Sequence, residues 1–401
     1  MEPLASEPRL YALRQGVDEI GFVAIDSTIG GRARGGLRLL VDVGAEELQD
    51  AARTMTLKYG FLGLPQGGAK AGLKADPESP LEARHERLRA FAGAALPLLK
   101  ERRYVPDADM GTRASDIRWM MQAAGLPVGP REWRSDGSGV YTAASCLAAA
   151  RAALLRRGRA LAGCRVAIEG FGQVGSALAS LLHAAGASIV AVSTSRGALH
   201  APSGLDIPRL VALAAEAGST VVERCPGVER LAREALLELP VDVLCPCARR
   251  HSIHVGNAAR VAASVLCAGA NDAVAPDAER ELWRRGVAVP PDFIANCGGV
   301  LGGTLEFAGV APGRARRLIE RVVEPAVTHL LARSEREGKA PRALAEPHAL
   351  ARHERVRRAA ERPGLSGRVL ALGVDWYRRG WLPGALVGAV APAYLERRLD
   401  A

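Results

Sequence analysis

Residues 165–197 read RVAIEGFGQVGSALASLLHAAGASIVAVSTSRG, and the order of textures within them decides the fold. A short apolar run of strand length is followed by a glycine-rich turn, a helical pattern of small and apolar residues, and a second apolar run. Gly170, Gly172 and Gly175 are spaced as GxGxxG. Gly170 makes the turn, Gly172 lets backbone approach a pyrophosphate, and Gly175 permits tight packing. The helix that opens at Gln173 and Val174 offers N–H donors to an anion. Ala177 and Ser180, three apart, are expected on the face that lies against the sheet. A lone GxGxxG is a weak signal that a structural turn can also produce. The strand before it and the helix after it turn it into a dinucleotide expectation.

Outward from this segment, βα alternation continues on the C-terminal side through VDVLCPC, SVLCAGAND and VAVPPDFIANCGGV, strands whose ends are where a doubly wound sheet places a ligand. From 312 the pattern is helical to the end, interrupted at Pro325, Pro363 and Pro383. On the N-terminal side, IGFVAID and GGLRLLVDV read as strands joined by a turn, and residues 44–60 as a helix. Residues 61–77, dense in glycine, read as loop and turn, 81–102 as a further helix, and RYVPDAD as an extended piece. A polar, breaker-rich stretch at 125–139 marks a boundary. The expected fold is therefore α/β: an N-terminal α/β domain (1–135), a Rossmann doubly wound dinucleotide-binding domain (136–311) and a helical C-terminal region (312–401) that packs back on the first domain or adds an interface.

Composition bounds the rest. A chain of 401 residues, 48% hydrophobic and only 4% aromatic, suits two aliphatic cores. Its longest apolar runs are too short and too broken to span a bilayer, and the polar start, MEPLASEPRL, lacks a basic-then-apolar leader, so no membrane is expected. Seven cysteines in mostly apolar contexts suit reduced thiols in a cytoplasm. Cys245 and Cys247 lack the gap of a zinc pair, and His251 and His254 stand as one pair without a second, so no metal is expected. Of the net charge of +10, half arises in residues 341–401, where 11 arginines meet 6 acidic residues interleaved with apolar ones. That reads as solvated helix faces rather than a nucleic-acid surface.

Only five of the 53 basic residues are lysines, and three of them, Lys58, Lys70 and Lys74, fall within MTLKYGFLGLPQGGAKAGLKADP. A chain that writes arginine almost everywhere else keeps lysine here, and a lysine, unlike an arginine, can lose its proton when desolvated. A lysine in a closed, glycine-walled cleft near other cations is expected to have a lowered pKa.

Taken in order, RGGLRLL, MTLKYGFLGLPQGGAKAGLKADP, VPDADMGT, GFGQVGSA, VLCPCA, CAGAND and PDFIANCGGV resemble the Glu/Leu/Phe/Val dehydrogenase family of NAD(P)-dependent amino-acid dehydrogenases, over about residues 20–340. The resemblance implies that the N-terminal α/β domain is the substrate-binding and oligomerisation domain, and it implies reversible oxidative deamination of an L-amino acid to a 2-oxo acid and ammonia, with NAD or NADP as cofactor, by a homo-oligomer. It implies that Lys58 holds the substrate α-carboxylate, that Lys70 assists hydration of an iminium, and that Asp109 shuttles the proton of the substrate nitrogen. Asn271 and Asn296 match positions near the nicotinamide ribose and the substrate, and Ala248 counts with the cofactor positions. Read from the residues alone, Lys70 could instead satisfy carbonyls, Asp109 could cap the following helix, and either asparagine could be a turn residue.

The departures from the family pattern fall on specificity. Thr194, followed by Ser195 and Arg196, stands where an acidic residue would hold a ribose 2′-OH, which leaves a 2′-phosphate less repelled. Arg34 stands where glutamate-using members have a lysine, Gly303 where they have a serine, and Asp107 at a side-chain-pocket position that is usually small. If Arg34 and Asp107 face each other, they neutralise one another or present a polar end to the substrate. Asp136 replaces a threonine that contacts the nicotinamide amide. A binding protein without turnover, or an enzyme for an unusual amino or imino acid, are the alternatives these departures leave open.

Overall fold

The computed structural model describes residues 9–133 and 137–399. Two compact units divide them, and each interleaves distant parts of the chain. The first unit holds the described residues up to 133 together with Leu305–Ala311 and those from His348 on, and the second holds Gly137–Thr304 and Pro312–Pro347.

The first unit is built on strands β1 (Arg9–Gln15), β2 (Asp18–Ile25), β3 (Ala33–Leu40), β4 (Gly67–Lys74) and β5 (Tyr104–Ala108), with helices α1 (Ala45–Leu62), α2 (Leu81–Ala94), α3 (Leu96–Lys100) and α4 (Ala114–Ala123). The sheet runs β1-β2-β4-β3-β5. Strand alternation sorts its side chains onto two faces. Val23, Ile25, Leu37, Leu39, Ala71, Leu73 and Tyr104 meet Phe91, Ile117 and Met120 in one large core. The opposite face carries Arg34, Arg38, Gly68, Lys70 and Gly72 beneath α1, with a small patch of Phe22, Ala24, Val43, Leu48 and Ala52.

The glycine-dense stretch that reads as a loop is in fact β4, the central strand. It pairs antiparallel with β2 and parallel with β3. Its glycines stand where neighbouring segments leave no room for a side chain: the β2–β3 turn over Gly67, α1 over Gly68, and the first turn of α1 with the residues before it over Gly72. A Cβ on Gly68 would stand 2.4 Å from the Thr56 nitrogen, and one on Gly72 would stand 2.4 Å from Val43. β1, which the sequence did not announce, is an edge strand with only Leu13 buried among its residues.

The second unit contains α5 (Ser138–Arg156), β6 (Arg165–Glu169), α6 (Gln173–Ala184), β7 (Ser188–Thr194), β8 (Gly197–His200), α7 (Ile207–Ala217), β9 (Glu229–Leu231), β10 (Val243–Pro246), α8 (Val255–Ala258), β11 (Val265–Leu266), α9 (Pro276–Arg284) and α10 (Asp292–Ala295). Its sheet order is β11-β10-β6-β7-β8-β9. The first four strands are parallel, and β8 and β9 extend the edge antiparallel. This is the doubly wound sheet expected around the glycine turn. The expected strand in VAVPPDF is reduced to a single bridge at Ala288 before α10 begins. On α6 the buried face is Gly175, Leu178, Ala179 and Leu182, whereas Ser180 is exposed and Ala177 only half-buried. The apolar spacing of 3, 4 and 7 residues decides the face there, and small size does not.

The chain then continues as α11 (Gly298–Phe307), α12 (Pro312–Glu337), α13 (Pro341–Glu361), α14 (Leu365–Arg378) and α15 (Gly384–Leu399). Pro325 does not interrupt α12, which runs through it while packed along α5. Within the first unit, the tail is tied down by Arg352 donating to the Phe61 carbonyl (2.7 Å) and by Arg131 donating to the Leu382 carbonyl (2.6 Å). Phe307 meets Tyr377 edge to face at 5.5 Å. Among the described residues one helix, Ser138–Arg156, is long and apolar enough to cross a membrane, but most of it is buried inside the second unit.

Candidate active site

On the α1 side of the first sheet, alternation brings Arg34, Gly36 and Arg38 of β3 alongside Lys70 of β4 and Asp107 of β5, with Asp109 just beyond. Gly36 leaves the room Asp109 occupies, since a Cβ there would lie 2.6 Å from the Asp109 Cβ. Lys70 is buried, and its Nζ forms an ion pair with Asp109 Oδ2. The same oxygen accepts from Arg38 Nε at 3.2 Å, and Arg38 reaches with its other arm to Glu47 in the first turn of α1. Two cations and two carboxylates therefore alternate along one buried chain of contacts. Lys58 lies on α1 and is also buried. Lys74, the last residue of β4, pairs with Glu19 at 2.6 Å on the partly exposed rim.

Burial alone would push the Asp109 carboxyl up. Lys70, Arg38 and the Met110 N–H outweigh it and hold the group well below the usual carboxylate range. Asp109 is thus an anion in this arrangement and not a resting proton store. It is not the cap of α4 either, because Asp116 accepts the Arg113 N–H there at 2.8 Å. The Asp109 backbone is fixed instead by Thr112, whose hydroxyl accepts the Asp109 N–H at 3.0 Å and donates to the Leu37 carbonyl at 2.8 Å.

Arg34 and Asp107 do face each other. Nε and Nη2 of the guanidinium donate to the two carboxylate oxygens at 2.5 and 2.6 Å, a bidentate fork. Desolvation works against the Arg34 charge, but Asp107, with help from Glu132, keeps its pKa above the ordinary value. Tyr59 borders the pair and directs its hydroxyl at the Arg34 carbonyl. Arg38, Glu47 and Glu132 were not singled out from the sequence. The signal for Arg38 was present in RGGLR, where a period of two puts positions 34, 36 and 38 on one face.

In the second unit the glycine turn has the geometry a dinucleotide needs. Gly170 has φ +90 and abuts Ala248, and a Cβ on Gly175 would lie 1.9 Å from the Gly170 carbonyl oxygen. Gly172, with open space where a side chain would be, is the N-cap of α6, and no side chain caps the helix. The first N–H groups of α6, from Gln173 and Val174, are therefore left for an anion. At the end of β7, the Thr194 hydroxyl donates to the Ser219 carbonyl at 2.7 Å and accepts the Arg196 N–H at 3.1 Å, which leaves it one further lone pair. Ser195 and Arg196 are exposed beside it. Asn296 is buried and donates its amide to the carbonyl of Ala270 (3.0 Å) and the Asn271 side chain (3.1 Å), while its own Oδ1 has no hydrogen-bond partner. An orphaned acceptor of this kind fits an N–H or hydroxyl of a bound molecule. A Cβ on Gly303 would meet nothing within 4 Å. Asp136 lies outside the described residues. Among the described residues no group of three His, Cys, Asp or Glu side chains could hold a metal.

A buried lysine sharing a carboxylate suits proton transfer at a small substrate, and an uncapped helix behind a glycine turn suits a nicotinamide dinucleotide. That combination defines a dinucleotide-dependent oxidoreductase. Residues 17–125 match the dimerisation-domain model of the Glu/Leu/Phe/Val dehydrogenases, and residues 135–364 match the glutamate/leucine/phenylalanine/valine dehydrogenase model. The chain belongs to this family and is an NAD(P)-dependent amino-acid dehydrogenase acting on CH–NH2 groups. It is 36% identical over 283 residues to an NADP-specific glutamate dehydrogenase of Halobacterium salinarum, with 67% of each chain covered. To an NAD-specific glutamate dehydrogenase of Staphylococcus aureus it is 34% identical, with 70% of each covered. Its structure resembles the hetero-hexameric glutamate dehydrogenase of Thermus thermophilus, solved in a leucine-bound form, with TM-score 0.75, 27% identity and 90% of each chain covered.

Proposed function

We propose that the face built from Lys58, Lys70 and Asp109 holds the amino acid and moves its protons during reversible oxidative deamination. In balance, an L-amino acid, NAD(P)+ and water give a 2-oxo acid, ammonium, NAD(P)H and a proton. The dinucleotide, when bound, accepts the hydride from the substrate Cα. The residues that would hold it are Gly170, Gly172, Gln173, Val174 and Gly175 at the pyrophosphate, Ala248 against the turn, Thr194 and Arg196 at the adenosine ribose, and Asn271 with Asn296 toward the nicotinamide and substrate. Lys58 anchors the α-carboxylate. Lys70 takes a proton from the water that adds to the iminium carbon, and Asp109 passes a proton to the departing nitrogen.

The observation that carries this reading is the shared oxygen: Lys70 and Arg38 both hold Asp109 Oδ2. When Lys70 is neutral, Asp109 faces one cation fewer, and its affinity for a proton rises. Proton release at one group is thereby coupled to proton uptake at the other, which is what a hydration followed by loss of ammonia requires. The absence of a carboxylate at Thr194, with Arg196 beside it, supports use of NADP as well as NAD. A homo-oligomer is supported by the dimerisation-domain match and by exposed apolar side chains such as Val369, Trp381, Leu386 and Val390 on and around α14 and α15. The seven free cysteines, mostly buried, support a cytoplasmic setting.

The test follows nicotinamide absorbance with NAD and with NADP, across L-amino acids and, in reverse, 2-oxo acids with ammonium. Lys70→Arg keeps the positive charge but cannot deprotonate near neutral pH, and should lower kcat by about 100-fold or more. Full activity in that variant would remove Lys70 from the role.

A further inference from the structure

The charged face does not end at Asp109. The register that pairs Gly36 with Asp107, and Leu37 with Ala71, sets Gly36 between Asp107 and Lys70. Arg34 follows two residues along β3, roughly 7 Å away. We infer that the Arg34–Asp107 ion pair closes the side-chain end of the amino-acid site and selects substrates with uncharged side chains over dicarboxylic ones, with Asp107 as the specificity-determining residue. This rests on the reading of the Lys70–Asp109 face as the amino-acid site.

Three observations carry it. The pair is placed where a ligand can reach it: the Arg34 and Asp107 side chains are 40% and 34% exposed, against 4% for Lys70. An amino acid whose α-carbon stands at Lys70 projects four or five side-chain atoms over a comparable distance, so its far end arrives at this fork. The cation there is already used, since both oxygens of Asp107 occupy Nε and Nη2 of Arg34 in the geometry a distal carboxylate would itself require. Finally, Glu132 adds a second anion to the surroundings of Arg34, held in place by Arg102 at 2.7 Å and the Gly129 N–H at 2.9 Å. An incoming carboxylate must displace Asp107 from the fork or sit beside its charge, and either is unfavourable. An uncharged side chain meets a neutralised wall and disturbs no charge. The Tyr59 phenol beside the pair offers no substitute donor, because it turns its hydroxyl to the Arg34 carbonyl. Selection works here by repulsion built into the site rather than by a new attraction.

The test measures binding and so does not depend on turnover. Calorimetry of the full chain with 2-oxoglutarate and with 4-methyl-2-oxopentanoate, in the presence of reduced dinucleotide, gives the ratio of their affinities. The unaltered protein should bind 4-methyl-2-oxopentanoate at least about tenfold more tightly. Asp107→Asn and Asp107→Ala should both move the ratio toward 2-oxoglutarate by about tenfold or more, because Arg34 is released. Adding Arg34→Met to Asp107→Ala should erase that gain. Asp107→Asn keeps the shape and a hydrogen bond, so it reports on charge even if the alanine variant folds poorly. Tighter binding of 2-oxoglutarate by the unaltered protein, or a ratio unmoved in Asp107→Asn, overturns the inference alone. If neither acid binds any of the proteins, the reading of this face falls and takes the inference with it.

Discussion

In the proposed reaction Arg38 tunes the proton exchange without itself standing where a substrate proton moves. It touches the Asp109 oxygen that Lys70 touches, and Glu47 holds it there. Its positive charge opposes a second cation beside the same oxygen and helps keep Asp109 ionised. Arg38→Met should leave Asp109 and Glu47 facing Lys70 alone, and the proton affinities of both Lys70 and Asp109 should rise. Lys70 would then need a higher pH to act as a base, so the rising limb of the kcat/KM profile should move up by about one pH unit. Arg34 lies farther along the strand, already matched by Asp107, and does not replace the lost charge. Arg38→Lys restores a cation and should move the limb most of the way back. A loss of rate in Arg38→Met with an unshifted profile would mean that Arg38 only supports the strand.

Strand β4 shows how an element can be hidden from its own sequence. Gly67, Gly68 and Gly72 are residues a strand interior normally avoids, which is why residues 61–77 read as a loop. The cause lies elsewhere in the chain. Helix α1 presses on this strand, and Gly68 sits under Thr56, whose hydroxyl is held by Asp26 at 2.5 Å and by Ser27 at 2.7 Å. Gly68→Ala would place a methyl against the Thr56 and Ala52 backbone and break that arrangement. A destabilisation of about 1–3 kcal/mol follows, read as a lower midpoint in urea. An unchanged midpoint would show that α1 can lift at no cost. The glycine turn at 170–175 was legible because its constraint is local, a strand, three glycines and a helix in sequence. So were the lysines, because their scarcity elsewhere marks them. The Arg34–Asp107 fork was legible only as a condition, since it joins β3 to β5 across 73 residues. Antiparallel β8 and β9, and the passage of α12 through Pro325, are set by neighbours that no local pattern names.

At the scale of the molecule, the helical tail contributes to both units, and Arg342 is one of the ties within the part that belongs to the second. Arg342, at the start of α13, donates to Glu279 of α9 at 2.6 Å and also pairs with Asp292 of α10. Both acids are buried, and Asp292 also accepts the Asp272 N–H at 2.8 Å, which ties the loop after β11 to the same cluster. Removing the arginine leaves two buried carboxylates without their counter-ion. Arg342→Met should therefore destabilise the protein by about 3–5 kcal/mol at neutral pH. The pH dependence separates lost charge pairing from lost packing. Burial holds the Glu279 carboxyl above its ordinary value even with Arg342 opposing it, so the folded state binds that proton more tightly than the unfolded chain. Stability tied to this group is regained as pH falls through its folded pKa and lost as pH rises, and without Arg342 the folded pKa climbs further. The deficit of Arg342→Met should accordingly shrink when urea midpoints measured at pH 8 are compared with those at pH 5. A deficit of equal size at both values would assign the role of Arg342 to packing over Phe293, whose ring it covers at 5.7 Å, rather than to the charges it joins.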